Sequence, residues 1–207
     1  MSSKDYFDQV ADQWDNLQAN LYSEKVRDRA LATAAVQAGD IAADIGCGSG
    51  FITEGLIRAG LHVIAVDQSE AMLSKMKRKF ANTADIDYRC GKAEQLPIPD
   101  DSVDYAFANM YLHHVERPPI AIKEMARILK PSGTLVITDL DNHTSEFLRD
   151  EHHDRWLGFD RGHIRGWFTD AGLRRVTIDC VGEQCCAQSD GGSQSASVNI
   201  FVASGEK

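Results

Sequence analysis

Short apolar runs alternate with helically spaced apolar residues along most of this chain, and the pattern predicts a series of strands and helices. Residues 4–17 carry apolar positions three and four residues apart, which is typical of a helix that packs on one side. A second helix is predicted over about 22–36. Five later apolar runs have the length of buried strands: 41–45, 61–66, 86–90, 103–108 and 134–137. Helices are predicted between strands, and strands that alternate with helices predict a parallel, doubly wound α/β sheet.

The last third of the chain predicts two helices and two strands. The first helix is predicted over 145–158, and the second begins after Asp160, which can cap it, and ends before Gly172. Alternating apolar residues over 176–180 and 198–202 predict a sixth and a seventh strand. Between them, the Gly- and Ser-rich part of 182–194 is predicted to be a flexible loop.

Composition and charge exclude several classes of protein. The chain has 207 residues, and its 22 basic and 31 acidic residues give a net charge of −9, which argues against a nucleic-acid partner. No apolar run approaches the ~18 residues that a membrane span needs. The polar N-terminus lacks a signal-peptide core, so we expect a cytoplasmic protein. Five cysteines, an odd number, favour free thiols over a disulfide framework.

A glycine-rich turn follows the first predicted strand directly. Gly46, Gly48 and Gly50 stand between that strand and a predicted helix, so the backbone can turn tightly and approach a ligand closely. The dinucleotide pattern G-x-G-x-x-G is not met, because Phe51 stands where its third glycine belongs. The phosphate-loop pattern is also absent. The spacing therefore argues against a nicotinamide dehydrogenase.

Polar residues close two further strands at the edge where ligands of open α/β sheets bind. Asp67 ends the second strand about 20 residues after the glycines, where a carboxylate can accept hydrogen bonds from two ribose hydroxyls. A helix-capping role for Asp67 is less favoured, since Ser69 already offers a cap. Asn109, His113 and His114 follow the fourth strand. Either histidine can serve as a proton acceptor; alternatively, one caps the strand end and the other packs inside.

Three motifs in this order resemble those of the class I S-adenosylmethionine-dependent methyltransferases. They are D-I-G-C-G-S-G at 44–50, G-K-A-E-Q-L-P at 91–97 and L-K-P-S-G at 129–133, the last with Ser132 in place of the first glycine. The resemblance is nearest to the small-molecule branch that includes ubiquinone and menaquinone C-methyltransferases. It implies a Rossmann-like, doubly wound, seven-stranded sheet, mostly parallel with an antiparallel last strand. It also implies one methyltransferase domain over 1–207.

The resemblance divides that domain into N-terminal helices with a lid over 1–37, a cofactor-binding core over 40–139, and substrate-side helices with the last two strands over 140–207. The cofactor would be S-adenosylmethionine and its product S-adenosylhomocysteine, with the glycine turn against the amino-acid part and 91–97 along the adenine. Residues expected to frame the cofactor are Asp44, Gly46, Cys47, Gly48, Gly50, Asp67, Gln68, Ala93, Glu94 and Asn109.

The expected reaction is direct displacement of the sulfonium methyl by a small-molecule acceptor, with His113 or His114 as the base. Residues 4–17 resemble the family's lid, although plain packing against the domain explains them equally well. Neither the acceptor nor the oligomeric state follows from the sequence. A cofactor-binding regulator without catalysis is a further alternative.

Cys180, Cys185 and Cys186 suggest a different acceptor. Thiolates bind soft ions, so arsenite or another metalloid, or a thiol, is an alternative substrate class. The spacing of these cysteines does not fit a zinc site, and no metal is expected. Small apolar cysteines are the favoured interpretation.

Overall fold

The computed structural model describes residues 3–189 and 191–207, so the first two residues of the predicted N-terminal part and Asp190 of the predicted loop lie outside it. Within these ranges, seven strands form one sheet in the order β3-β2-β1-β4-β5-β7-β6. The strands are β1 Ile41–Ile45, β2 His62–Asp67, β3 Ile86–Cys90, β4 Val103–Asn109, β5 Leu129–Leu140, β6 Arg174–Gln188 and β7 Ser195–Glu206.

The direction of the strands confirms the predicted fold class. Strands β1 to β5 pair in parallel, whereas β7 runs antiparallel to both β5 and β6. The order reverses at β1, whose neighbours are β2 on one side and β4 on the other. A reversal of this kind opens a crevice at the carboxyl ends of the strands, which is where open α/β sheets bind ligands.

Helices cover both faces of the sheet. They are α1 Ser3–Val10, α2 Trp14–Leu21, α3 Glu24–Ala34, α4 Phe51–Arg58, α5 Glu70–Lys79, α6 Pro118–Ile128, α7 Phe147–Glu151 and α8 Arg161–Asp170. Side chains of α6 and α8 pack against one face, and side chains of α3, α4 and α5 pack against the other. No helix in the described ranges is long and apolar enough to cross a bilayer.

Two expected helix caps, at Ser69 and Asp160, are confirmed, and Ser23 caps α3 in the same way. The hydroxyl of Ser23 accepts from the N–H of Lys25, and the hydroxyl of Ser69 accepts from the N–H of Met72. The Asp160 carboxylate accepts from the N–H of Gly162 at 2.8 Å. Each cap satisfies a backbone donor that the first helical turn leaves without a partner. These helix starts follow from local chemistry, and the sequence predicts them correctly.

The C-terminal third differs from the sequence-based expectation. Strand β6 extends to Gln188 and β7 begins at Ser195, so both strands are longer than the expected 176–180 and 198–202, and residues 184–188 pair with β7. The Gly- and Ser-rich part lies between the two strands, as expected. The expected helix over 145–158 is restricted to α7, and Gly158 takes a φ of +68° further along. A Cβ at Gly158 would lie 2.2 Å from the carbonyl oxygen of Asp141, so the chain turns there because only glycine fits. The expected helix over 4–17 is two helices, α1 and α2, joined by a 3₁₀ turn.

Candidate active site

The glycine turn presents bare backbone at the carboxyl end of β1. Gly46 and Gly48 have φ values of +68° and +53°, which side-chain-bearing residues rarely adopt. The N–H groups of Gly46 and Cys47 donate to the carbonyl of Val66 at 2.8 and 3.1 Å, which ties the turn to β2. The turn is thereby fixed, and the ring of Tyr111 fills the space that a side chain at Gly46 would take.

Asp44 connects the end of β1 to the start of α4. Its carboxylate accepts from the N–H of Thr53 at 3.0 Å and from the hydroxyl of Thr53 at 2.6 Å. Burial raises the pKa of Asp44 to about 6, although the bonds from Thr53 act in the opposite direction. The carboxyl group therefore titrates close to neutral pH.

Asp67 ends β2 beside the same turn. One carboxylate oxygen accepts from the N–H of Gly48 at 2.9 Å, and the other accepts from the N–H of Ser69 at 2.8 Å. Burial raises the pKa of Asp67 despite these bonds. Since a carboxylate oxygen can accept more than one hydrogen bond, both oxygens remain able to accept from a ligand hydroxyl.

A first cavity of about 570 Å³, its mouth included, lies over the turn. Predicted cofactor residues that line it are Asp44, Gly46, Cys47, Gly48, Asp67, Gln68 and Asn109. Three others do not. Gly50 makes room for Phe80, whose ring lies 2.6 Å from where a Cβ would stand. Ala93 is fully buried, and Glu94 lines a separate groove.

Side chains of the N-terminal helices α1 and α2 form part of the wall of this cavity. Phe7 and Trp14 line it, and the indole nitrogen of Trp14 lies 3.5 Å from the position of a Cβ on Gly48. The hydroxyl of Ser69 donates to Asp8 at 2.6 Å, and the hydroxyl of Ser49 donates to Asp15 at 2.5 Å. The helices α1 and α2 are therefore attached by hydrogen bonds to the loops that carry Ser49 and Ser69.

A second cavity of about 460 Å³ adjoins the first. The residues that line both are Phe7, Trp14, Tyr22, Met110 and His114. Its other apolar walls come from Tyr6, Leu21, Leu140, Leu148 and Ala187, and its polar walls from His113, His152, Asp154 and Cys185. A largely apolar cavity with polar groups at one end is typical of a site for a small organic molecule.

Asn109 and Tyr22 lie at the junction of the cavities. The Asn109 amide donates to the Tyr22 hydroxyl at 3.3 Å, and its oxygen accepts from the Thr138 hydroxyl at 2.7 Å. Burial raises the pKa of Tyr22, so its phenol stays neutral. The Thr138–Asn109 bond fixes the amide orientation, and the amide in turn positions the phenol.

A buried cluster of His113, His114, Asp139 and Asp154 lies beside the second cavity, and we call it the imidazole–carboxylate cluster. Nδ1 of His113 lies 2.7 Å from an oxygen of Asp139, and Nε2 of His113 lies 3.7 Å from an oxygen of Asp154. That oxygen is also 3.8 Å from Nδ1 of His114. All four side chains are less than a tenth exposed. The interactions therefore take place away from water, where charges act strongly on one another.

The two histidines of the cluster carry different charges. Burial disfavours the His113 cation, but the charges of Asp139 and Asp154 and the bond to Asp139 outweigh it and raise the pKa of His113 to about 9. Burial and the neighbouring His113 lower the pKa of His114. Burial raises the pKa of Asp154. At neutral pH, His113 is a cation and His114 is neutral.

Among the described residues, His113, His114 and Asp154 bring three possible metal-ligand atoms within 4.8 Å of one another. Nδ1 of His113 lies 2.7 Å from Asp139, so the nitrogen of His113 on the side of Asp154 is Nε2.

The three C-terminal cysteines do not form one site. Cys185 is buried at the second cavity, and burial raises its pKa to about 12. Cys186 is exposed beside Ser197, and Cys180 is also exposed. Neighbouring strand residues point to opposite faces of a sheet, which separates Cys185 from Cys186.

Asp139 and Asp154 are site residues that the sequence analysis did not propose. Asp139 closes β5 at the same sheet edge as Asp67, so the rule used for Asp67 could have identified it. Asp154 follows α7 in a segment without regular structure, and no periodicity marks it. Only the fold brings it to His113.

Known proteins resemble this chain in sequence and in structure. The family described as "Methyltransferase domain" matches residues 43–137. The biotin biosynthesis bifunctional protein BioHC of Cellvibrio japonicus is 39% identical over 145 residues, which is 70% of this chain but only 28% of that protein. The 2-phytyl-1,4-naphtoquinone methyltransferase of Synechococcus elongatus is 32% identical over 163 residues, which is 73% of this chain and 70% of that protein.

A solved structure matches nearly the whole chain. It belongs to the complex between the Haloferax volcanii Trm112 methyltransferase activator and the putative methyltransferase, with a TM-score of 0.79 and 24% identity. The match covers 99% of this chain and 97% of that one. The sheet order, the glycine turn and these relatives agree with the resemblance carried by the sequence motifs. The chain therefore belongs to the class I S-adenosylmethionine-dependent methyltransferases.

Proposed function

We propose that this protein transfers a methyl group from S-adenosylmethionine to a small, largely apolar acceptor that carries a hydroxyl group, by direct displacement. The observation that carries the proposal is the imidazole–carboxylate cluster, because His114 belongs to it and lines both cavities. When bound, the cofactor supplies an electrophilic methyl on a sulfonium, which departs as a neutral thioether. The protein's part is to orient the two molecules and manage one proton.

The first cavity fits the cofactor. Gly48 carries no side chain on the cavity wall, and the Asp44 carboxylate would accept from an ammonium group. The Asp67 carboxylate would accept from vicinal hydroxyls. S-Adenosylhomocysteine offers the same groups, so the same residues would hold the product.

The second cavity fits an apolar acceptor with one polar end. Its aromatic and aliphatic walls suit a ring or an alkyl group, and its polar end is the imidazole–carboxylate cluster. A quinol has both features, and the curated relatives include five that are named as naphtoquinone or demethylmenaquinone methyltransferases. We infer that a quinol or another hydroxylated ring is the acceptor class.

We propose that the Asp154 carboxylate accepts the proton of the acceptor's hydroxyl group. Its burial raises the pKa, which makes it a stronger base than an exposed aspartate. His113, held as a cation by Asp139, then faces the oxygen that becomes negative. In O-methylation, the O–H electron pair stays on the oxygen and forms the new bond to the methyl carbon, while the C–S electron pair leaves with the sulfur. At a ring carbon, the O–H pair forms a carbonyl and the conjugated π pair forms the new bond. The hydrogen on that carbon is then lost as a proton and the oxygen regains one from Asp154, which restores the hydroxylated ring. The two expected catalytic histidines keep a role at the reaction centre, and the base is their carboxylate neighbour.

The pH profile distinguishes this assignment from one with His113 as the base. We expect kcat/KM to rise as Asp154 ionises, at a pH above the usual range of an aspartic acid, and to fall as His113 loses its proton near pH 9. If His113 were the base, kcat/KM would instead rise up to about pH 9 and stay high. The measurement is initial rate against pH with an acceptor whose hydroxyl ionises well above this range.

Cofactor affinity should depend on the ionisation of Asp44. Because only the ionised carboxylate accepts from an ammonium group, S-adenosylhomocysteine should bind about tenfold more weakly for each pH unit below about 6. Calorimetric titrations between neutral and acidic pH check this. In Asp44→Asn, affinity should be lower at neutral pH and should lose this part of its pH dependence. An Asn variant that keeps the wild-type profile would remove Asp44 from the ammonium site.

The proposal as a whole is tested by transfer of a labelled methyl group. Quinols, thiols, amines and arsenite are each incubated with the protein and methyl-labelled S-adenosylmethionine, and products are identified by mass. We expect transfer to a hydroxylated ring, with inversion at a chirally labelled methyl. Cofactor binding without transfer to any acceptor would instead indicate a regulator. Preferred transfer to arsenite, lost in Cys185→Ser, would establish the metalloid alternative.

A further inference from the structure

The ring of Tyr111 lies directly against the glycine turn. A Cβ built on Gly46 would be 2.2 Å from Cγ of Tyr111 and 2.3 and 2.6 Å from its two Cδ atoms. No side chain could stand between Gly46 and this ring. The phenol therefore occupies the space that the absence of a Gly46 side chain creates, at the wall of the first cavity.

The same phenol reaches the residues expected at the adenine edge. A backbone hydrogen bond from Ala93 acts on its hydroxyl, and the charges of Asp67 and Glu94 raise its pKa, as does burial, the largest cause. Tyr111 lines both the first cavity and an outer groove that contains Lys92, Glu94 and Gln95. The Tyr111 ring therefore lies between Asp67 and the 91–97 segment.

The backbone just before Tyr111 is strained. Met110 has a φ of +48°, in the left-handed region that residues with a side chain adopt only at a cost. Its N–H donates to the carbonyl of Thr138 at 2.8 Å, so the strained turn is held by β5. Strained residues of this kind cluster at active sites, ligand clamps and switch regions.

We propose that Tyr111 is a gate on the nucleoside end of the first cavity. A nucleoside that contacts both Asp67 and the backbone near Ala93 must cross the volume that the ring fills, so the ring has to leave before it binds. Rotation at Met110 and Tyr111 moves the ring and relieves the left-handed φ. The inference rests on S-adenosylmethionine being the ligand of the first cavity, but not on the acceptor or on the base.

A gate lowers apparent affinity, since only the open fraction of molecules binds. In Tyr111→Ala we therefore expect S-adenosylhomocysteine to associate faster and to bind more tightly, each by about tenfold. Adenosine should show the same direction, because the gate acts on the nucleoside. Association rates are measured by stopped-flow fluorescence and affinities by calorimetry. Tyr111→Phe, which keeps the ring and loses only the hydroxyl, serves as the matched comparison and should bind less tightly than Tyr111→Ala.

Four outcomes decide the proposal. Weaker binding in Tyr111→Ala, with Tyr111→Phe unchanged, would show that the ring stacks on the nucleoside and would overturn the gate. If neither the wild type nor the variant binds S-adenosylhomocysteine, the cofactor assignment fails and the gate with it. A crystal structure with S-adenosylhomocysteine bound supports the gate if the ring has left Gly46 and Met110 has a negative φ. The same complex with the ring unmoved overturns it.

Discussion

Replacing Asp139 by asparagine is expected to lower kcat by about 10²- to 10⁴-fold, the range found when a positioned proton-handling group is lost. The amide has the shape of the carboxylate but lacks its charge, so His113 loses the partner that lies 2.7 Å from Nδ1. Its pKa should fall from about 9, and less of it is a cation at neutral pH. Because Asp139 does not line the first cavity, the affinity for S-adenosylhomocysteine should not change. The measurements are kcat with labelled cofactor and calorimetric binding.

Two comparisons separate this effect from general damage. Asp179→Asn replaces an aspartate of β6 whose side chain is 65% exposed, and it should keep both kcat and the unfolding temperature. In Asp139→Asn, the alkaline limb of kcat/KM should move from about pH 9 to lower pH, which a purely structural defect would not do. A variant with low kcat and an unmoved alkaline limb would contradict the role given to Asp139.

Much of the cofactor half of the site could be predicted because its determinants are local. The strand at 41–45 and the glycines after it lie within one strand–turn–helix unit, and backbone sterics dictate its geometry. The cap at Ser69 belongs to the next such unit and is equally local. Asp67 could be placed at the same edge because parallel strands end there together. Its two backbone hydrogen bonds, from Gly48 and Ser69, agree with that placement.

The acceptor half could not be predicted because its contacts are distant in sequence. His113 meets Asp139 and Asp154 only after β5 has paired with β4 and the segment after α7 has packed on the sheet. The charges of the two histidines depend on these neighbours, so sequence alone treats His113 and His114 alike. Cys185 and Ala187 are buried and alternate with exposed neighbours, as in a strand. The sequence analysis did not identify this alternation because Gly- and Ser-rich residues follow it directly.

The position of the Tyr111 ring could not be predicted from the sequence either. The sequence places it one residue before a 3₁₀ turn and offers no reason to direct its ring at Gly46. The left-handed φ of Met110 sets that direction, and tertiary contacts with β5 maintain it. The departures from local rules therefore lie where the two cavities meet, as expected for functional sites.

Asp67→Ala is expected to weaken S-adenosylhomocysteine binding by about 100-fold. Two charge-assisted hydrogen bonds to ribose hydroxyls would be lost, each contributing about 1.5–3 kcal/mol, and a tenfold change in affinity corresponds to about 1.4 kcal/mol. The variant also removes the acceptor of the Gly48 and Ser69 N–H groups, so loosening of the turn could by itself weaken binding.

Calorimetry with a second ligand separates the two causes. The 2′-deoxy analogue of S-adenosylhomocysteine should bind the wild type about tenfold more weakly than the parent compound, yet bind Asp67→Ala as well as the parent does, because the partner of that hydroxyl is gone. If the deoxy analogue loses the same factor in both proteins, Asp67 supports the turn and does not hold the ribose.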